Sequence, residues 1–421
     1  MSLKKTVSKK IGTAFILLFA LLYLSIPQTA HAGEPFQIWN YQCIDTMKTS
    51  RDRARQWAGD PHVESLISKE VTLVKNLGAN CIAISTPYNE EFIPYLKIWS
   101  EEAHKQNLSV WFRGNFAEWE GWFEYPKNLT PEELLTKTAK FIASHSDLFK
   151  DGDAFDSCPE CEGVGPWLLP RDTSLYLSFK IKQQEVARAA FKAIGKNIIT
   201  NRLAVIGGRA KDYYDLKTAE ALGNLVVIDH YVKTVDDMKT YVEYFDTKLK
   251  SKTFIGEFGA PIPDINGRMN ETQQADFVES IFDYLYRQKN KVDGVNYWVL
   301  SDGTTALVND DYTPKEVFSV IEKYYKPGQL TGTVKNSLGE EIAHAQVDIG
   351  NGEARLSTDS KGSYKSAVIK GKKSVEILSS DYISQTGIAD IEKGKERTLN
   401  FVLIPKKKSV WYNIREFLHN L

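Results

Sequence analysis

From about Phe36 to Pro327 the chain alternates short apolar runs with segments whose apolar residues recur every three or four positions. The first kind reads as strand and the second as amphipathic helix. "FQIWNYQCI" is a first strand. "VESLISKEVTLVKNLG" is a helix closed by Gly78. "ANCIAIS", "FIPYLKIWSEEAHKQN" and "LSVWFRGN" follow as strand, helix and strand. "TPEELLTKTAKFIASHSDLF" opens on Thr130, Pro131 and acids, a helix start. "GDAFDSCPE" is a strand running into a loop, and "LYLSFKIKQQEVARAAFKAIG" a helix. "NIITNRLAVI" is a weaker strand, then "DYYDLKTAEALG" a short helix. "NLVVIDHYV", "TFIGEFG" and "VDGVNYWVL" complete the strands. "TVDDMKTYVEYFDTKLK", "NETQQADFVESIFDYLYRQ" and "TPKEVFSVIEKYY" complete the helices. Eight alternations over roughly 290 residues predict a parallel sheet closed as a (β/α)8 TIM barrel. A doubly wound open sheet is the alternative, but no Gly-rich nucleotide loop follows the first strand.

After "KPGQ" the texture changes. Residues 328–405 carry short alternating strands, "LTGTVKNS", "AHAQVDIG", "ARLSTD", "SYKSAVI", "KSVEILS" and "RTLNFVLI", parted by "SLGEE", "GNGE" and "SKGS". That predicts a small all-β sandwich. The tail, 406–421, starts basic and reads as a short amphipathic helix. Packing on the domain is preferred to attachment at a membrane surface. At the other end, Lys4, Lys5, Lys9 and Lys10 precede the apolar run "AFILLFALLYLSI" and an A-x-A site ending at Ala32. Residues 1–32 therefore read as a cleaved signal peptide, and the protein as secreted or periplasmic. The predicted barrel covers 33–327.

Composition changes little in this picture. An apolar fraction of 42% and a charged fraction of 25% are those of a globular protein. The net charge of −1 becomes −5 once the four leader lysines are gone, which argues against nucleic-acid binding. The four cysteines are Cys43, Cys81, Cys158 and Cys161. "CPEC" has redox or metal spacing but lacks a second pair or nearby His, so no metal is expected. A local disulfide and two plain thiols both remain open. No cofactor is expected.

In a parallel barrel the chemistry sits at the C-terminal ends of the strands. There the sequence places Arg113 and Asn115 on the third strand and Glu160 and Glu162 after the fourth. His230 and Tyr231 end the sixth, Glu257 the seventh and Trp298 the eighth. Two carboxylates facing each other across one mouth suit glycoside cleavage: one delivers a proton to the leaving oxygen and the other attacks the anomeric carbon. Arg113 and Tyr231 are placed to hold Glu257, and nearby negative charge should raise the proton affinity of the acid. Trp119 and Trp122, in "NFAEWEGWFEYP", offer flat rings for sugar faces. No "G-x-S-x-G" motif supports a hydrolase triad.

The motif "FIGEFGAP" resembles the nucleophile strand of clan-A glycoside hydrolases, most closely the cellulase-type family five. "IDHYV", "VNYWVLSDG" and "VKNLGANCIAI" resemble the same family. The resemblance, over about residues 36–326, implies Glu257 as nucleophile, His230 and Tyr231 as substrate and nucleophile contacts, and Trp298 as a sugar-stacking ring. On the fourth strand that family has Asn-Glu-Pro, whereas this chain has Pro159-Glu160-Cys161. Register makes Glu160 the acid/base, with Glu162 its rival. In the second region, "TGTVKNSLGEEIAHAQVDI" followed by "STDSKGSY" resembles carboxypeptidase regulatory-like domains. The expectation is a secreted retaining glycosidase acting on β-linked poly- or oligosaccharide. The alternatives are a carbohydrate-binding barrel without chemistry, and a transglycosylase.

Overall fold

A computed structural model describes residues 36–168, 172–407 and 410–419. The expected signal peptide lies outside the described residues. Among those residues, eight strands form one parallel sheet: β1 (Tyr41–Asp45), β2 (Cys81–Ile84), β3 (Ser109–Phe112), β4 (Ala154–Phe155), β5 (Val205–Ile206), β6 (Leu225–Asp229), β7 (Lys252–Phe258) and β8 (Val292–Tyr297). Their order is β4-β3-β2-β1-β8-β7-β6-β5. A parallel bridge between Ala154 and Ile199 joins the two ends, and the sheet is a closed (β/α)8 barrel. The helices after each strand are α1 (Val63–Asn76), α2 (Ile93–Lys105), α3 (Pro131–Ser144), α4 (Thr173–Ala193), α5 (Leu216–Ala221), α6 (Val235–Lys248), α7 (Glu271–Arg287) and α8 (Glu316–Tyr325).

Local chemistry explains these elements. In α1 the residues Ile67, Val71 and Val74 recur at helical spacing and are buried against the sheet. Thr130 caps α3 in a reciprocal box with Glu133, with Pro131 in the first turn where no donor is needed. Thr234 with Asp237 and Asn270 with Gln273 do the same for α6 and α7. Inside the barrel Ala83, Trp111, Val227 and Phe254 pack with Cys43 and Cys81, which face each other in register and are disulfide-bonded. The expected fifth strand, 197–206, is two pieces. Ile199 pairs with β4 and Val205–Ile206 with β6. Between them Arg202 is buried over the Tyr41 ring at 3.6 Å and pairs with Asp293 at 2.9 Å. A buried charge needs that partner, and reaching it interrupts the ladder.

All-β structure follows: β9 (Gly328–Asn336), β10 (Gln346–Ile349), β11 (Ala354–Ser357), β12 (Ser363–Val368), β13 (Gly371–Leu378), β14 (Gln385–Ile391), β15 (Glu396–Thr398) and β16 (Phe401–Leu403). One sheet runs β11-β10-β13-β14. The other runs β12-β9-β15, with β16 also on β9. Leu330, Val334, Val347, Val375, Ile377 and Leu403 form their shared core. The sequence pattern does not predict strand β14. Its only fully buried residues are Ala389 and Ile391, while Ile388 is exposed, so its pattern of apolar positions is faint. The barrel and these sheets touch. Ile369 joins the barrel's outer core, Lys289 of the α7–β8 turn donates to Ser366 and to the Ala367 carbonyl, and Lys393 pairs with Glu322 at 2.6 Å. A last helix, α9 (Val410–His419), follows.

Candidate active site

Strand β7 carries Glu257 to the rim, and its flanking glycines are required by crowding. A Cβ on Gly256 would collide with the Asp229 carboxylate, and one on Gly259 with the Trp298 carbonyl. Both oxygens of Glu257 are engaged. Arg113 Nη1 donates to Oε1 at 2.7 Å and the Tyr231 hydroxyl to Oε2 at 2.7 Å. Charge-assisted bonds of this kind fix orientation as well as position.

Arg113 is itself fully buried, and its guanidinium serves three acids. Besides Glu257 it donates to Asp45 at 3.0 Å and to Asp229 at 2.6 Å. Asn296 supports the same cluster from β8, donating to Asp45 at 3.0 Å and to the Gly256 carbonyl at 2.7 Å. One cation among three carboxylates leaves surplus acid. Burial, with the charge of Glu257, pushes Asp45 up to about 6 despite Arg113. Burial raises Asp229 as well.

The opposite wall is the segment after β4. Asp156 accepts from the backbone N–H of Cys158 at 3.0 Å and of Ala204 at 2.8 Å. Glu160 N–H in turn donates to the Ala204 carbonyl, and a disulfide joins Cys158 to Cys161. The loop is thereby closed, with Glu160 at its apex in the left-handed region (φ 50°). The side chain lines a cavity of about 310 Å³ together with Arg113, Glu120, Trp122, Asp229 and Glu257. Burial, then the charges of Glu257 and Glu162, push Glu160 up to about 8.

Glu162 is placed differently. It is buried, accepting from the Tyr176 hydroxyl at 2.9 Å and from the Ile206 N–H. It does not line the cavity, so geometry favours Glu160 of the two expected candidates.

The other expected residues divide. Tyr231 touches Glu257, and the Trp298 ring meets the Tyr231 ring edge-on at 5.8 Å. Trp122 lines the cavity with Arg51 stacked over it at 4.7 Å. Trp119 is a correction: it is buried against Trp167 and Phe179 and presents no face to a sugar. Asn115 is also turned inward, donating to Glu120 at 3.1 Å and to the Cys158 sulfur at 3.3 Å, so it braces the loop. His230 is buried against Tyr241, and burial pushes it down to about 4. Its backbone N–H, not its ring, reaches the Glu257 carbonyl, at 2.7 Å. Sequence reading missed Glu120 and Arg51. Glu120 sits one residue beyond Trp119 in the aromatic loop, and Arg51 follows the short helix Met47–Ser50 after β1. Neither ends a strand, the signal that found the others. Among the described residues no cluster of His, Cys, Asp and Glu has the form of a metal site.

Fold and site define a (β/α)8 barrel whose strand ends hold an acid-rich mouth with opposed glutamates. Residues 222–325, which carry β6, β7 and β8, match the family model described as glycosyl hydrolase catalytic core. No curated protein matches the chain. Among solved structures, XacCel5A in complex with cellopentaose is similar at 13% identity, over 68% of this chain and 100% of that one, with a TM-score of 0.49. GH5_18 from Streptomyces cattleya in complex with GlcNAc is similar at 13% identity, over 70% and 83%, also at 0.49. A β-glucuronidase of Bacteroides uniformis is similar at 11% identity over 87% of this chain, with a TM-score of 0.47. The chain spans 47% of that β-glucuronidase, about half its length.

Proposed function

We propose that this protein is a secreted retaining glycoside hydrolase of the clan-A type, nearest to cellulase-type family five, acting on β-linked poly- or oligosaccharide. The observation that carries the reading is the pairing in one cavity of Glu257, gripped by Arg113 and Tyr231, with Glu160, whose proton is held up to about 8. The family match over 222–325 supports it.

In this mechanism Glu257 attacks the anomeric carbon while Glu160 gives its proton to the leaving oxygen. A covalent glycosyl-enzyme forms and the aglycone departs. Glu160, now a carboxylate, takes a proton from water, whose oxygen displaces Glu257. Each carboxylate ends in its starting state. Tyr231 and Arg113 fix the nucleophile, Trp298 and Trp122 offer faces to the sugar rings, and no cofactor takes part.

The test is reducing-end release by the mature protein (from Gly33) on β-glucans, mannans and xylans, with Glu257→Gln beside it. Release that disappears in the variant is expected, with the product anomer retained by NMR. An inverted anomer would defeat the retaining mechanism. Binding without release on every glycan would favour a carbohydrate-binding barrel, and longer products would indicate transglycosylation.

A further inference from the structure

Helix α9 turns its apolar side to solvent. Val410, Trp411, Ile414, Phe417 and Leu418 are all exposed, Trp411 at 75% and Phe417 at 66%. At about 100° per residue they fall in one arc of about 120°. Two contacts that hold the helix come from outside that arc. The Tyr412 hydroxyl shares a hydrogen bond with Ser337 at 2.7 Å, and Arg415 pairs with Glu340 at 2.8 Å. The sequence predicts a tail packed on the domain. It is held there by polar groups instead, with its apolar arc left over. An ordered stripe of this kind is a mark of an interaction surface.

The charge beside the stripe selects the partner. In the sequence Lys406, Lys407 and Lys408 precede the helix, and of these Lys406 and Lys407 are described and exposed. A basic cluster next to Trp, Phe and Leu is complementary to a surface that is anionic outside and apolar just beneath. With 10 residues the helix is about 15 Å long, too short to cross a bilayer, and no described helix is long and apolar enough to do so. We infer that α9 docks the protein in the plane of an anionic lipid surface. Its apolar arc enters the headgroup–acyl boundary, the lysines meet the headgroups, and Tyr412 and Arg415 tie the helix to the sheets.

Vesicle flotation of the mature full-length protein tests this. The protein should float with mixed phosphatidylcholine–phosphatidylglycerol vesicles, stay behind with phosphatidylcholine alone, and be released by high salt. A lysine near such a surface is worth about fivefold in affinity, so Lys406→Gln/Lys407→Gln/Lys408→Gln together should weaken binding roughly a hundredfold. Trp411→Ser/Phe417→Ser should weaken it at least tenfold. Lys406, Lys407, Trp411 and Phe417 are all exposed, so melting temperature should not move and serves as the folding control. Absence of flotation with the anionic vesicles overturns the inference, as does flotation that both variants retain. A dimer in light scattering that Trp411→Ser/Phe417→Ser abolishes would assign the face to a second copy and overturn it equally.

Discussion

The acid/base role proposed for Glu160 rests on its neighbours. Burial and the charge of Glu257 hold its proton to about 8, so the alkaline limb of kcat/KM should fall near that pH, where the acid ionises. Removing the nearby charge in Glu257→Gln should move the Glu160 pKa downward, readable by carboxyl NMR; an unmoved value would break the link. Glu160→Gln should lose about 10²–10⁴-fold in kcat on substrates with poor leaving groups. A second buried acid answers to stability instead. Glu70 accepts from Thr49, Ser301 and Tyr312, and burial raises it from 4.5 to about 7. The folded state thus keeps a proton that the unfolded chain gives up earlier. The stabilising share of this group is full below pH 4.5 and lost as pH rises through about 7. Glu70→Gln, always neutral, should match the parent at pH 4 and exceed it at pH 8 by up to about 3 kcal/mol. Thermal melts at both pH values check this, and parallel declines would contradict it. At this scale Glu257 was legible because Gly256 and Gly259 announce a crowded strand end. Trp119 and Trp122 were not separable. They sit three residues apart in one loop, and only packing against Trp167 and Phe179 decides which is buried.

The CPEC segment is the element that differs most from the expected pattern. It presents Glu160 from a closed loop braced by Asp156, Asn115 and the Cys158–Cys161 disulfide. Cys158→Ala/Cys161→Ala should therefore lower kcat about tenfold or more with KM little changed, since positioning and not sugar contact is lost. A rise in KM alone would show that the loop serves binding instead. Helices with caps and strands with continuous apolar runs were located from sequence, with ends that differ by up to five residues: the helix read over 130–149 is Pro131–Ser144, and the first strand starts at Tyr41. The failures share a cause. β14 has few buried side chains, and the fifth strand breaks where Arg202 needs a partner from a distant strand. The turn of Glu162 into the core likewise depends on Tyr176 and Ile206, which local pattern does not reveal.

Over the whole molecule, the alternation of strands and helices and the later change of texture made the architecture readable. The joint between barrel and sheets was not. It rests on single residues such as Lys289, which is half-buried and lowered to about 8 by that burial where it meets Ser366 and Ala367. The mouth has a consequence of its own. Arg113 is outnumbered by Asp45, Asp229 and Glu257, and Glu160, which lines the cavity, is pushed up to about 8. A sugar that displaces water from this cavity removes solvation from the charged forms and favours the protonated ones. Ligand capture should therefore draw hydrogen ions from the medium. Calorimetric heats of binding to Glu257→Gln at pH 7 should then differ between phosphate and Tris in proportion to their ionisation enthalpies, and identical heats would mean that this barrel exchanges none.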